Sequence, residues 1–171
     1  MIERKDFPLL TKNPNLIYLD NAATTQKPNI MMEALNHFYL TSNSNVGRGI
    51  YDLAYEAEQA LENSRNYIAE FFHTKSEGLI FTSGATDSLN QAAHIISQEI
   101  KEGDVIVVTV WDHHANILPW QRIAKEKGAE VKFIDKIEDI YNPAGISENF
   151  WKNVKVVAMP HVTNTTGNRS E

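Results

Sequence analysis

The sequence predicts an α/β protein built on a mostly parallel sheet. Three observations carry this. From residue 79 onward, short apolar runs alternate with amphipathic helical stretches, the pattern of strands joined by right-handed crossovers. One run, Val105-Ile106-Val107-Val108-Thr109-Val110, is nearly continuous in β-branched residues, as in a strand buried on both faces. The segments that follow three of the four expected strands are rich in hydroxyl, imidazole and amide groups, and ligands of such sheets sit at the carboxyl ends of the strands.

Residues 1–29 read as irregular, punctuated by Pro8, Pro14 and Pro28, with a short apolar run Leu16-Ile17-Tyr18-Leu19. Pro28 stands where a first helical residue would. Behind it Met31, Ala34, Leu35 and Phe38 fall at helical spacing, which predicts a helix over about 28–40. Residues 41–50 are polar and glycine-bearing, hence a loop. A long helix is expected over 52–72, with Leu53, Ala57, Ala60, Leu61, Ser64, Ile68 and Phe71 as its apolar stripe. Leu79-Ile80-Phe81-Thr82 reads as a strand that Ser83-Gly84 breaks, followed by a helix over 86–100 carrying Leu89, Ala92, Ala93, Ile96 and Ile100. Gly103 is its expected end. After the strand at 105–110 come a helix over 118–127 stopped by Gly128, a strand at 131–134, a short helix at 147–152 and a strand at 154–159.

Composition narrows the function classes. The 171 residues include 16 Lys+Arg, 22 Asp+Glu, six His and no Cys, with 42% hydrophobic and 22% charged residues. That length can bury a real core, and that composition is close to the average for globular domains. No window approaches the ~20 apolar residues of a membrane helix, and no apolar run stands behind Met1–Asp6 as in a secretory signal. A cytoplasmic protein that does not act at a membrane is therefore expected. Without cysteine the chain has no disulfide, thiolate metal site or cysteine nucleophile of its own. A net charge of −6 with scattered basic residues leaves no footprint for nucleic acid.

Each loaded loop admits two readings. Ser83-Gly84-Ala85-Thr86-Asp87 joins a strand to a helix, and its glycine, hydroxyls and helix dipole suit a phosphate. An ordinary capped helix start explains the same residues and, on this segment alone, is the commoner case. In Trp111-Asp112-His113-His114-Ala115-Asn116 one histidine could act as general acid/base or stack on a flat ligand; equally, one could be packed and the other solvated. A metal pair is disfavoured, and no metal site is expected. Asn164 in His161-Val162-Thr163-Asn164-Thr165-Thr166-Gly167 offers an amide to a ligand oxygen, although Asn-Thr-Thr-Gly is also a good turn. Convergence of the three on one edge of one sheet favours a site. Arg48, flanked by Gly47 and Gly49, could meet a carboxylate, although a solvated arginine is more usual. Tyr18 to Pro28 reads only as a structured loop entering a helix.

The order of these segments resembles the class V aminotransferase family of pyridoxal-phosphate enzymes, of the cysteine desulfurase and selenocysteine lyase type. The resemblance rests on Asp20-Asn21-Ala22-Ala23-Thr24-Thr25, on Asn45 to Ile50, Glu62 to Phe71, Ile80 to Asn90 and Val157 to Gly167. Its most specific stretch is His113-His114-Ala115-Asn116-Ile117-Leu118-Pro119-Trp120-Gln121. It implies the N-terminal part of a fold-type I pyridoxal-phosphate transferase, three-layered α/β/α. Residues 1–50 would form the arm, first helix and entrance loop, and 51–171 the first part of the large cofactor-binding domain. Pyridoxal 5′-phosphate is the implied cofactor. Ala85 and Thr86 would hold its phosphate, His113 would stack on its ring and move protons as the catalytic group, and Asn164 would bond its phenolic oxygen. Ala23 and Arg48 would lie on the substrate side. L-cysteine, a sulfur-acceptor protein and a homodimer are the implied substrate and partners, and iron–sulfur cluster assembly the implied role.

Departures accompany the match. The family usually has histidine where Gly47 and Tyr51 stand, and glutamate where Asp112 stands. The resemblance covers roughly the first 40% of a family member, whose length is that of two or three ordinary domains. The family's covalent lysine, its aspartate for the pyridine nitrogen and its sulfur-accepting cysteine have no counterpart here: none of the eleven lysines follows a histidine. A truncated or frameshifted product, a partial chain, an inactive remnant or binding module, and another class V enzyme such as a selenocysteine lyase are the alternatives. In the family's strand order the strands at 131–134, 105–110 and 154–159 are neighbours. Leu79–Thr82 is expected apart from them, with its backbone groups stranded, or else the chain repacks.

Overall fold

A computed structural model describes residues 3–136, 138–139 and 143–169. The chain divides into two compact units, the first ending at Ile80 and the second beginning at Phe81.

The first unit is helical. After a 3₁₀ turn at Arg4–Asp6 come α1 (Pro8–Lys12), α2 (Asn29–Thr41), α3 (Asp52–Phe71) and a 3₁₀ turn at Ser76–Gly78. Pro8 opens α1, where its missing N–H costs nothing. Pro28 differs from expectation: it is the residue before α2, in extended conformation, and its carbonyl accepts from the Met31 and Met32 N–H groups. The buried residues of α3 are Ala54, Ala57 and Ala69, whereas Leu53 and Phe71 of the expected stripe are exposed, Phe71 by 72%. The large side chains on that face have only partial cover: Ala57 and Leu61 border a cleft of about 270 Å³ shared with Phe38 and Val46. The turn before α3 requires glycine at position 49, because a Cβ there would overlap that of Ala54.

Leu79–Thr82 does not form the expected strand. An apolar run becomes a strand only where an edge accepts it, and the sheet has just three strands among the described residues. Nor is Leu79 stranded: its carbonyl accepts from Arg65 Nη1 at 2.6 Å and its N–H donates to Ser76 at 3.1 Å.

The second unit holds α4 (Ala85–Ile96), a 3₁₀ turn at Ser97–Glu99, β1 (Val105–Thr109), α5 (Leu118–Lys127), β2 (Glu130–Ile134) and β3 (Val154–Ala158). The strands pair in parallel in the order β2-β1-β3, as the resemblance implies. The helix expected to run to residue 100 instead tightens into 3₁₀ geometry after Ile96, which still buries Ile100. All of β1 is buried. Its alternate residues serve two cores: Ile106 and Val108 pack with Ala93 of α4 and with Trp120, Ile123 and Ala124 of α5, while Val105 and Val107 pack on the other face with Ile134 and, around them, Trp111, Phe150 and Trp151. Gly128 ends α5 in the left-handed conformation at φ +70°. A register shift between Val105 and Ile106 leaves Lys155 of β3 without a β1 partner, a bulge at the amino end of that pairing.

Candidate functional site

Because the strands are parallel, the segments after β1 and β3 leave the same edge of the sheet. α4 runs back toward the start of β1, so its N-terminus lies at that edge, against the His114–Asn116 turn that follows β1.

The entry to α4 is fixed by side chains. Gly84 takes φ +156°, a conformation L side chains rarely adopt. Asp87 Oδ2 accepts from Ser83 N at 3.2 Å and Ser83 Oγ at 3.1 Å, and its Oδ1 accepts from Gln91 Nε2 at 3.0 Å. Thr82 Oγ1 and Ser88 Oγ lie 2.7 Å apart. These bonds hold the Ser83-Gly84 corner and consume the Asp87 carboxylate. Among the described residues the N–H groups of Ala85, Thr86 and Asp87 have no acceptor, as expected of a first helical turn. A helix N-terminus carries roughly half a positive charge.

Gln91 first, then the Ser83 N–H and hydroxyl, hold the Asp87 carboxyl below the usual aspartate range, with slight desolvation opposing them. A depressed pKa means that these bonds stabilise the corner above the unfolded value of ~3.9 and are lost as pH falls through the folded value. The Ser83 amide signal is therefore expected to titrate with a midpoint below that of a free aspartate, and Asp87→Asn should abolish the transition. A midpoint at or above ~3.9 would remove this role from Asp87.

The loop after β1 is equally well tied. Asp112 Oδ1 accepts from the His113 N–H and Oδ2 from Asn116 Nδ2, both at 2.6 Å. His113 Nδ1 accepts from the Ala115 N–H at 3.1 Å. A ring that accepts at Nδ1 carries its neutral-form proton on Nε2, so Nε2 is the nitrogen left to face a ligand. After β3, a Val162–Arg169 bridge and the Thr163 N–H bond to Asn168 O at 2.9 Å close a small loop on a buried Thr163. Asn164 stands exposed in it.

A cleft of about 410 Å³ joins Thr86 and Asn90 of α4 to His114, Ala115 and Arg122. Asn90 is fixed by a 2.9 Å bond from its Nδ2 to Thr86 O, which leaves its Oδ1 available. Arg122 lies 3.8 Å from Glu126, both well exposed, a weak pairing. Open N–H groups, the Thr86 hydroxyl, a helix dipole and a nearby guanidinium form a donor set that fits a phosphate monoester. Of the sequence-derived residues the cleft gathers Thr86, with Ala85 beside it. His113 and Asn164 follow the carboxyl ends of β1 and β3 but do not line it. Ala23 and Arg48 belong to the first unit, both exposed: Ala23 in a turn closed by its N–H to Asp20 O at 3.2 Å, and Arg48 in the turn after Val46. Sequence reasoning passed over Asn90 and Arg122. Asn90 follows Thr86 by four residues and so shares its helix face; nothing local marks Arg122.

The second unit is an α/β layer with a three-stranded parallel sheet and a cleft at its carboxyl edge whose donors fit a phosphate. The chain belongs to the aminotransferase class V family, whose description matches residues 17–171. It is 38% identical to a probable cysteine desulfurase of Pyrococcus abyssi over 164 residues, 96% of this chain and 40% of that protein. A probable cysteine desulfurase of Staphylococcus aureus is 41% identical over 169 residues, covering 95% and 41%. The apo cysteine desulfurase of Thermococcus onnurineus superposes with a TM-score of 0.88 at 37% identity, covering 98% of this chain and 41% of the other. The chain thus spans about 40% of the length of the relatives it matches, their N-terminal part. It is folded as that part is, not repacked. Pyridoxal phosphate is the cofactor of this family.

Proposed function

We propose that this chain contributes the phosphate-holding part of the pyridoxal 5′-phosphate site of a cysteine desulfurase. The observation that carries the reading is the open N-terminus of α4, with Thr86 and the turn after β1 on one cleft. Ala85 and Thr86 hold the phosphate through backbone N–H groups and the Thr86 hydroxyl. His113 meets the ring with its Nε2 face and holds or moves a proton there; Asn164 donates its amide to the ring oxygen. Ala23 and Arg48, in the arm and entrance loop of residues 1–50, serve the substrate side, and residues 51–171 the cofactor side. Bound there, the cofactor supplies an electron sink for bonds at the amino acid's α-carbon.

The substrate is L-cysteine: its sulfur passes to an enzyme thiolate, giving a persulfide and releasing L-alanine. Neither that thiolate nor the covalent lysine belongs to the matched motifs of these 171 residues. The setting we propose, on the resemblance of the motifs alone, is a cytoplasmic homodimer feeding a sulfur-acceptor protein for iron–sulfur cluster assembly.

A chimera tests this. Residues 17–171 replace the matched segment of the Pyrococcus abyssi relative, and products are assayed from L-cysteine and L-selenocysteine in the presence of a thiol. Alanine and sulfide from cysteine are the expected result. A folded chimera that binds no pyridoxal phosphate, or that acts on selenocysteine alone, would contradict the assignment.

A further inference from the structure

The arm before α2 contains an arrangement that the cofactor reading does not use. Arg4 Nη2 lies 2.8 Å from the carbonyl oxygen of Leu16, 3.2 Å from those of Asn13 and Pro14, and 3.5 Å from that of Leu10. Two hydrogens are shared among four acceptors, each bond strengthened by the cation's charge. α1 is too short to satisfy its own last carbonyls, and Leu10 is among those the guanidinium takes up. Among the described residues Arg4 has no carboxylate partner. Its charge is turned on the backbone instead.

The consequence reaches the next turn. Leu16, the nearest of the four acceptors, stands two residues before Tyr18. The Tyr18 hydroxyl donates to Thr24 O at 2.6 Å and lies 3.3 Å from Asp20 O. Asp20 O in turn accepts from the N–H groups of Ala23 at 3.2 Å and Thr24 at 3.1 Å. Arg4, Leu10, Tyr18, Asn21 and Thr25 surround one cleft of about 310 Å³. The guanidinium, the ring of carbonyls, the tyrosine and the Asp20–Thr25 loop are thus one connected support.

We propose that Arg4 is a positioning residue: by gathering the carbonyls of Leu10, Asn13, Pro14 and Leu16 it sets where Tyr18 stands, and Tyr18 sets the Asp20–Thr25 loop that carries Ala23. Only the description of that loop as substrate-side rests on the desulfurase reading. The planar guanidinium offers several donors in a fixed fork, whereas lysine offers one compact ammonium, so the two are not equivalent here.

The test uses the whole chain and needs neither cofactor nor substrate, so it stands apart from the chimera assay. Solvent exchange of the Ala23 and Thr24 amides is measured by NMR, with Val107 and Val108 of β1 as internal references. Arg4→Ala should speed exchange at Ala23 and Thr24 about tenfold, the factor for loss of one charge-assisted hydrogen bond, and leave β1 unchanged. Because Arg4 is exposed, guanidinium ion at low millimolar concentration should restore protection in Arg4→Ala, while ammonium at the same ionic strength should not. Arg4→Lys should recover less than half of the lost protection. Unchanged exchange at Ala23 and Thr24, equal rescue by ammonium, or loss of protection throughout α3 without guanidinium rescue would each overturn the proposal, the last by making Arg4 a general stabiliser of its unit.

Discussion

Ile106→Ala is expected to destabilise the second unit by about 4 kcal/mol, in the upper half of the ~2–5 kcal/mol range for such truncations. Ile106 is fully buried in the central strand, with α4 and α5 packed over its face. Truncation removes the transfer energy of three carbons and leaves a void that strands paired on both sides cannot close. Such a loss is a large fraction of the ~5–15 kcal/mol available to a domain. Trp111, Trp120 and Trp151 all lie beyond Phe81, so urea unfolding followed by tryptophan fluorescence reads this unit. Ile95→Ala, at a side chain 63% exposed on α4, is the control and should change stability by less than ~0.5 kcal/mol. Equal effects of the two substitutions would show that the β1 core does not hold the unit together.

The second large effect concerns the ligand. Pyridoxal 5′-phosphate should bind this chain reversibly, and pyridoxal should bind at least about tenfold more weakly, since the phosphate meets helix N–H donors and a charge-assisted bond contributes roughly 1.5–3 kcal/mol. No lysine lines the cleft at Thr86, so dialysis should remove the ligand. Ala85→Pro is the discriminating variant: proline suits the first helical position and deletes one N–H donor without breaking the helix. Its affinity for the phosphate ester should fall while that for pyridoxal holds. Parallel losses for both ligands, with α4 intact, would mean that the helix N-terminus does not hold the phosphate.

Where local chemistry decides, the sequence was readable. The β-branched run became β1, and Gly128 stopped α5 because a left-handed residue was needed there. The strand order came from motif resemblance, since periodicity says nothing of neighbours. Leu79–Thr82 has the composition of a strand but pairs with neither edge of the sheet, a tertiary condition that no window contains. The expected stripe on α3 does not coincide with the buried face: Phe71 and Leu53 are exposed, and of the stripe only Ala57 is buried, together with Ala54 and Ala69 outside it, because which face is covered depends on what packs against the helix. Of the site, Thr86 and the glycine that opens its helix were legible, although the strand expected before them did not form. The tie from Asp112 to Asn116 was not, because it depends on how the turn after β1 is folded. Arg4 was invisible for the same reason: its partners are backbone carbonyls, and any residues could supply them.

Placing a phosphate ester at the N-terminus of α4 is the proposal on which the cofactor reading rests. Amide ¹H–¹⁵N spectra of the whole chain, titrated with pyridoxal 5′-phosphate and separately with pyridoxal, test it most directly. Saturable shifts are expected at the Ala85, Thr86 and Asp87 amides with the phosphate ester, and none at these three with pyridoxal. Shifts confined to other segments, or the same shifts with both ligands, would contradict it.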